Sequence, residues 1–193
     1  MKFLKTEKGT YKYINKQRVI EIIRTIFMFA CAIILYLIGF VTLKTNKNVW
    51  TILAVLSVLP AAKSCVSMIM FIRFSSIDET EYQIIEKARG NIDTMYELVF
   101  TTSEKSYFVK NVCCANSTIV MLYDNRNKKD LSKELKTHIM ASIEREGLKG
   151  YSLKIYTDTN SYIDRLSEMN NNLDNENDNS SGRVFALFKA ITI

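Results

Sequence analysis

The sequence has few of the residues that break regular structure. It contains one proline, Pro60, and six glycines among 193 residues. Flexible linkers are rich in glycine and semi-rigid ones in proline, so the scarcity of both argues against a long linker between domains. A glycine-rich phosphate-binding loop is not present either, because Gly147 and Gly150 are too few and wrongly placed to form one.

Acidic residues are absent from residues 25–72. Within that stretch, residues 25–43 are uncharged and mostly apolar, and residues 49–72 are apolar apart from Lys63. A helix of about 19 residues rises roughly 28 Å, close to the hydrocarbon thickness of a bilayer, and a helix of a small soluble domain is not apolar on every face. The sequence therefore predicts a membrane α-helical hairpin of two transmembrane helices, joined by the short loop 44–48.

Positive charge predicts the orientation of this hairpin. Residues 1–24 contain seven Lys or Arg and two Glu, the loop 44–48 contains two Lys, and Arg73 follows the second span. Because Lys and Arg favour the cytoplasmic side, we expect both termini in the cytoplasm and the hairpin in an inner (plasma) membrane of bacterial type. A cleaved signal peptide over residues 1–43 is the competing interpretation, and the long apolar run and the second span disfavour it.

The net charge of +6 does not predict nucleic-acid binding. Residues 73–193 contain 16 Lys or Arg and 18 Asp or Glu, so this part is slightly acidic, and the basic N-terminal segment 1–24 has a net charge of +5. A Lys or Arg near an anionic leaflet contributes roughly 1 kcal/mol. We therefore expect anionic lipid headgroups to be the partner of the N-terminal segment, and no nucleic acid.

Residues 73–193 are predicted to form a cytoplasmic α+β domain in the order α-β-β-β-α-β-α-β. Hydrophobic periodicity predicts these elements: a helix to about residue 88, strands over 95–101, 107–115 and 118–123, a helix over 130–145, a strand over 151–156, a helix capped by Asp158 or Thr159, and a final strand or apolar segment over 184–193. In the first strand, Tyr96, Leu98 and Phe100 are expected on one face and Glu97 on the other. The polar stretch 170–182 is expected to be a disordered loop.

The succession of helix, three-strand meander, helix and strand resembles the core of restriction-endonuclease-like nucleases. That family needs acids on its second and third strands and a nearby lysine to hold a metal ion. Here the second strand offers Lys110 and the third offers only its terminal residue, Asp124. The resemblance is therefore confined to topology and implies a degenerate, inactive domain.

Lys63 and Pro60 are the candidate functional residues of the second span. Both lie near its middle, where a lysine costs roughly 2.5–3.5 kcal/mol on insertion scales, and Pro60 predicts a kink. An intramembrane lysine can line an ion path or a subunit contact. We weigh a different role more heavily, in which the Lys63 amine reaches the cytoplasmic interface or makes a structural hydrogen bond.

The soluble part offers weaker candidates. His138 is the single histidine, and its place beside the apolar stripe of its helix is more typical of a partly buried structural residue than of a general base. Asp124 could bind a metal ion, although turn and helix-cap chemistry explains it and its polar neighbours. Cys113 and Cys114 are adjacent in a strand and should point to opposite faces, so we expect reduced structural cysteines, no metal site and no cofactor.

These observations leave three functional hypotheses. The leading one is a non-enzymatic binding or adaptor module at the cytoplasmic face of the membrane, with a protein or a small ligand as its partner. The second is a membrane-tethered enzyme or a degenerate restriction-endonuclease-like domain, with carboxylates gathered around Asp124. The third is an oligomeric small membrane assembly or pore that uses Lys63 and Pro60, which requires self-association.

Overall fold

The architecture was analysed in a computed structural model of the chain. The structure describes residues 7–43, 49–102, 105–124, 132–148, 150–172 and 180–193. These residues separate into two compact units. The first unit holds Ile14–Ser75, and the second holds Ser76–Ile193 together with the N-terminal segment Glu7–Tyr13.

The first unit is built on two long helices, α1 (Tyr13–Leu43) and α2 (Val49–Ile72). Both are long and apolar enough to cross a membrane, by length and composition. Helix α2 has the predicted bounds and contains Pro60 in its interior. Helix α1 begins at Tyr13, well before the predicted apolar span, so that its first turns mix apolar residues with charged and polar ones.

Most large apolar side chains of these helices point outward, with Phe71 as an exception near the end of α2, and many of the buried positions in the apolar spans are small. Within residues 25–42 of α1, the buried residues recur every seven positions, at Thr25, Ala32 and Gly39. In α2, Ala54 and Ala61 have the same spacing, and the Ser64 hydroxyl lies 3.0 Å from the Thr25 hydroxyl of α1. Small residues at a seven-residue spacing are typical of helices that approach each other closely in a membrane.

The second unit is a four-stranded mixed sheet between helices, within the described ranges. Its elements in chain order are α3 (Glu79–Arg89), β1 (Asp93–Thr101), β2 (Ser106–Ala115), β3 (Thr118–Tyr123), α4 (Ser132–Arg145), β4 (Ser152–Tyr156), α5 (Thr159–Asn171) and α6 (Ser180–Ile191). The strand order is β1-β2-β3-β4. The first three strands are antiparallel and β4 is parallel to β3, as the helical crossover through α4 allows. Asn116 and Ser117 both have positive φ and form the tight turn between β2 and β3.

Helices cover both faces of this sheet. On one face, α4 and α6 pack through Leu135, Ile139 and Phe188. On the other, α3 and α5 pack through Ile85 and Leu166. Strands β1, β2 and β3 are therefore largely buried on both sides. The adjacent cysteines divide as predicted, with Cys114 in the first of these clusters and Cys113 in the second.

The prediction for the faces of β1 was wrong. The pairing of β1 with β2 passes from Tyr96–Asn111 to Leu98–Val109 and skips Glu97, whose φ of +54° is in the left-handed region. This irregularity shifts the alternation of side chains by one position. Tyr96 consequently lies in the α3/α5 cluster, whereas Leu98 lies in the α4/α6 cluster.

The final element is a helix, so the predicted strand over residues 184–193 was also wrong. Val184, Leu187 and Phe188 are buried on one face of α6, a helical spacing that the prediction overlooked in favour of the apolar run. Beyond α6, Thr192 forms a single antiparallel bridge with Phe100. Both ends of the loop predicted over 170–182 are helical instead, because residues 170–171 end α5 and 180–182 begin α6; residues 173–179 lie outside the described part of the chain.

Candidate functional site

The N-terminal segment Glu7–Tyr13 is part of the sheet unit. The amide of Tyr96 in β1 donates a hydrogen bond of 2.8 Å to the carbonyl of Gly9. The amine of Lys8 donates to the carbonyl of Thr192 at 2.6 Å, and it satisfies a carbonyl at the C-terminal end of α6. Gly9 has a φ of +86° and lies against Met95, whose terminal methyl group would have to move to admit a Cβ. The left-handed backbone of this segment therefore favours glycine at this position.

The carboxylate of Glu97 joins this segment to the start of the domain. It is 1% exposed. Its Oε1 accepts hydrogen bonds from the amide of Lys12 at 3.0 Å and from the amide of Ile77 at 3.2 Å. Its Oε2 accepts from the Ser76 hydroxyl at 2.9 Å. A buried carboxylate is tolerated when donors surround it in this way.

These partners lie on both sides of the two long helices in the sequence. Lys12 directly precedes α1, and Ser76 and Ile77 follow α2 by four and five residues. The same side chain thus holds the segment that enters the hairpin and the segment that leaves it. We call Glu97 and these three partners the Glu97 junction.

A second, exposed layer supports the junction. The Glu79 carboxylate accepts from the Lys12 amine at 2.9 Å and from the Tyr11 hydroxyl at 2.8 Å. These two donors, Lys12 first, lower the pKa of Glu79 below its ordinary value. The ring of Tyr11 stacks on that of Tyr82 at a centroid distance of 4.0 Å, and Tyr82 meets Tyr96 edge to face at 5.0 Å.

A buried polar network lies beneath α5. The Tyr162 hydroxyl donates to Oδ1 of Asn111 at 2.5 Å, and the amide group of Asn111 donates to Thr94 and to the carbonyl of Met95. The Cys113 thiol lies 3.2 Å from the same Oδ1. Burial raises the pKa of both Tyr162 and Cys113, so both stay protonated and the network specifies packing rather than supplying a nucleophile.

The predicted candidates of the soluble part lie on different elements. The Lys110 amine is 2.9 Å from both oxygens of Glu81, and Thr159 donates to the same carboxylate. Lys110 therefore ties β2 to α3 and α5. Asp124 follows β3, and its amide donates to the carbonyl of Phe108. His138 is half-buried on α4. No group of three or more His, Cys, Asp or Glu that could hold a metal occurs among the residues with described positions.

The membrane candidates Lys63 and Pro60 are both exposed on α2. The backbone carbonyl of Lys63 accepts from the Ser67 hydroxyl at 3.4 Å. Among the described side chains, no carboxylate forms an ion pair with the Lys63 amine.

The sequence reasoning missed a basic cleft beside α4 and β4. It has a volume of about 300 Å³ and is lined by Ser132, Lys133, Lys136, Lys154, Ile155 and Tyr156. The spacing of Lys133 and Lys136 on one helix face was readable from the sequence. The approach of Lys154 was not, because it depends on the pairing of β4 with β3.

Comparisons with models of known protein families, with curated protein sequences and with solved structures gave no match.

Proposed function

We propose that this chain is a membrane-anchored, non-enzymatic binding module, with its sheet domain held at the cytoplasmic face. The supporting observation is the Glu97 junction, which holds the segments before α1 and after α2 on one buried carboxylate. A domain joined through two segments has less freedom than one joined through a single flexible linker. The anchor would confine the domain to a surface and raise its effective concentration there.

Membrane insertion is supported by the outward-facing apolar side chains of α1 and α2. Phe27, Val41 and Leu59 are each more than half exposed to solvent, although such side chains favour burial in a folded protein in water. In a bilayer the same surface would face acyl chains, where the exposure of apolar side chains carries no free-energy penalty. The charge distribution supports an orientation with both termini in the cytoplasm and anionic headgroups near residues 1–24.

The proposal is tested by fractionation and topology mapping of the full chain in bacterial cells. We expect it to stay with the membrane in carbonate, and we expect reporters fused at either terminus to be cytoplasmic while one inserted in the loop 44–48 is external. Release of a monodisperse protein by carbonate without detergent would refute the anchor. An external C-terminus would refute the cytoplasmic domain.

A self-associating hairpin is the second candidate, because Lys63 and Pro60 are both exposed on α2. A lysine facing lipid is costly, and a contact with a second copy would remove that cost. Crosslinking in bilayers should then give oligomers from the native chain that Lys63→Leu alters and Lys16→Leu does not. Monomers alone would exclude this candidate.

A further inference from the structure

The basic cleft has a one-sided charge. Of the described residues that line it, three are lysines, Lys133, Lys136 and Lys154, and none is acidic. The domain as a whole is slightly acidic, so this concentration of positive charge is local rather than a property of the whole surface. Clefts lined by charge of one sign raise the local concentration of ions of the opposite sign.

Nearby acids do not neutralise these lysines. None of the three forms an ion pair with a carboxylate in the described part of the chain. Glu134 lies next to Lys133 in α4, but its carboxylate accepts from the Lys105 amine at 2.8 Å and from the Tyr107 hydroxyl at 3.0 Å. The charge of Glu134 is therefore balanced by other groups.

The position of the cleft matches the place where parallel β-α-β units bind ligands. Strand β4 is parallel to β3, and α4 connects the two. The cleft is formed by the last residues of β4, 154–156, and by the first turns of α4. Ligands of open α/β sheets bind outside the carboxyl ends of their strands.

We propose that this cleft binds a small ligand that carries more than one phosphate charge. Ammonium groups bind phosphate oxygens through charge-assisted hydrogen bonds, and the hydroxyl group of Tyr156 supplies a neutral donor. A volume of about 300 Å³ suits a compact group at the lower end of ligand-pocket sizes. This inference rests on the proposed function, since it names the ligand class of that binding module.

The ligand could be a soluble phosphate compound or the headgroup of an anionic phospholipid, which share this chemistry. The probe for the first source is inorganic tripolyphosphate, titrated calorimetrically into the full chain in neutral detergent. The comparison variant carries Lys133→Gln, Lys136→Gln and Lys154→Gln together. A matched control carries Lys87→Gln and Lys189→Gln, two exposed lysines of the same domain that do not line the cleft.

We expect saturable binding to the native chain that weakens with added salt. The triple variant should bind on the order of 30-fold more weakly, about threefold for each exposed lysine, and the control should bind within about twofold of the native chain. An unchanged affinity of the triple variant, or no saturable binding by the native chain, would overturn the proposal.

Nanodiscs distinguish the two sources of the phosphate group. The tripolyphosphate titration is repeated in phosphatidylcholine discs with and without phosphatidic acid. Competition by phosphatidic acid in the native chain and the control, but not in the triple variant, assigns the cleft to a lipid headgroup. Equal affinity in both discs assigns it to a soluble compound. Carbonate extraction tests the membrane anchor independently of the cleft. A chain that binds tripolyphosphate but is extracted from the membrane would refute the proposed anchor and leave the proposed phosphate site standing.

Discussion

The two units of this protein place the same kinds of residues in opposite ways. In α1 and α2, most of the large apolar side chains face outward, and several of the buried positions are small, among them Ala32, Ala54 and Ala61. In the sheet unit, the large apolar side chains are buried between sheet and helices. This difference supports the proposal that α1 and α2 lie in lipid and the sheet unit in water, because large apolar groups are buried from water but not from lipid. Four experiments test and sharpen this contrast, and they are described from the largest expected effect to the smallest.

The strongest test of this contrast removes one aromatic ring from each unit and compares the losses of stability. Phe188 is 0% exposed and Phe27 is 64% exposed. Phe188→Ala should destabilise the sheet unit by about 3–5 kcal/mol, through lost burial and a cavity. Phe27→Ala should change thermal unfolding of the full chain in detergent very little, as followed by circular dichroism. Equal losses in the two variants would contradict the assignment of different solvents.

The Glu97 junction tests whether the two chain segments are held firmly. Glu97→Ala leaves the donors of Lys12, Ser76 and Ile77 without their acceptor, at a cost of about 1–3 kcal/mol for each group that stays buried and unsatisfied. Hydrogen exchange should accelerate at the amides of Lys12 and Ile77. Glu79→Ala is the matched control, since Glu79 is exposed and its loss should leave the amide of Ile77 protected.

The small buried positions of the hairpin should resist enlargement. Ala61 is 0% exposed, and Ala61→Leu should overpack the helix pair at a cost of about 1–3 kcal/mol. Leu59 is 68% exposed, and Leu59→Ala should be tolerated. Thermal unfolding of the full chain in detergent measures both variants. An Ala61→Leu chain as stable as the native one would show that this face of α2 is not packed.

The smallest effect should be a loss of stability in acid from one ion pair of the sheet unit. Glu86 pairs with Arg89 and accepts from the Tyr96 hydroxyl. These groups, Arg89 first, lower the pKa of Glu86 below its ordinary 4.5. The pair therefore stabilises the fold at pH values above 4.5, and this contribution disappears as the pH falls through the lowered pKa. A pH series of unfolding midpoints should be flatter in Glu86→Gln; the same slope in both chains would exclude the pair as its source.

Local patterns in the sequence predicted most of the elements. Strand β3, at Thr118–Tyr123, has the predicted bounds, because β-branched residues between turn signals specify a strand locally. The helix cap was predicted at Asp158 or Thr159, and the structure has it at Asp158, whose carboxylate accepts from the amide of Ser161. Helix α6 was missed because its apolar run was not tested for a helical period.

The candidate sites depended on contacts that no local pattern contains. Lys12 and Glu97 are 85 positions apart in the sequence. The residues around each of them carry no pattern that predicts the contact. The alternation of side chains in the sequence predicted Glu97 as an outward-facing residue of a strand. Its positive φ occurs where the pairing of β1 with β2 is interrupted, and that interruption was not visible in the sequence. The basic cleft was missed for the same reason, because Lys154 lies near α4 only as a result of the pairing of β4 with β3.

The docking of Gly9 on Tyr96 places a constraint on biosynthesis. A ribosome releases residues 7–13 before either long helix, whereas the β1 surface that receives them is translated after both. The N-terminal segment can therefore dock on β1 only after both long helices have been synthesised. A recombinant fragment that begins after α2 would lack the Gly9 carbonyl and the Lys12 amide, and it would leave the Tyr96 amide and the Glu97 carboxylate without these partners.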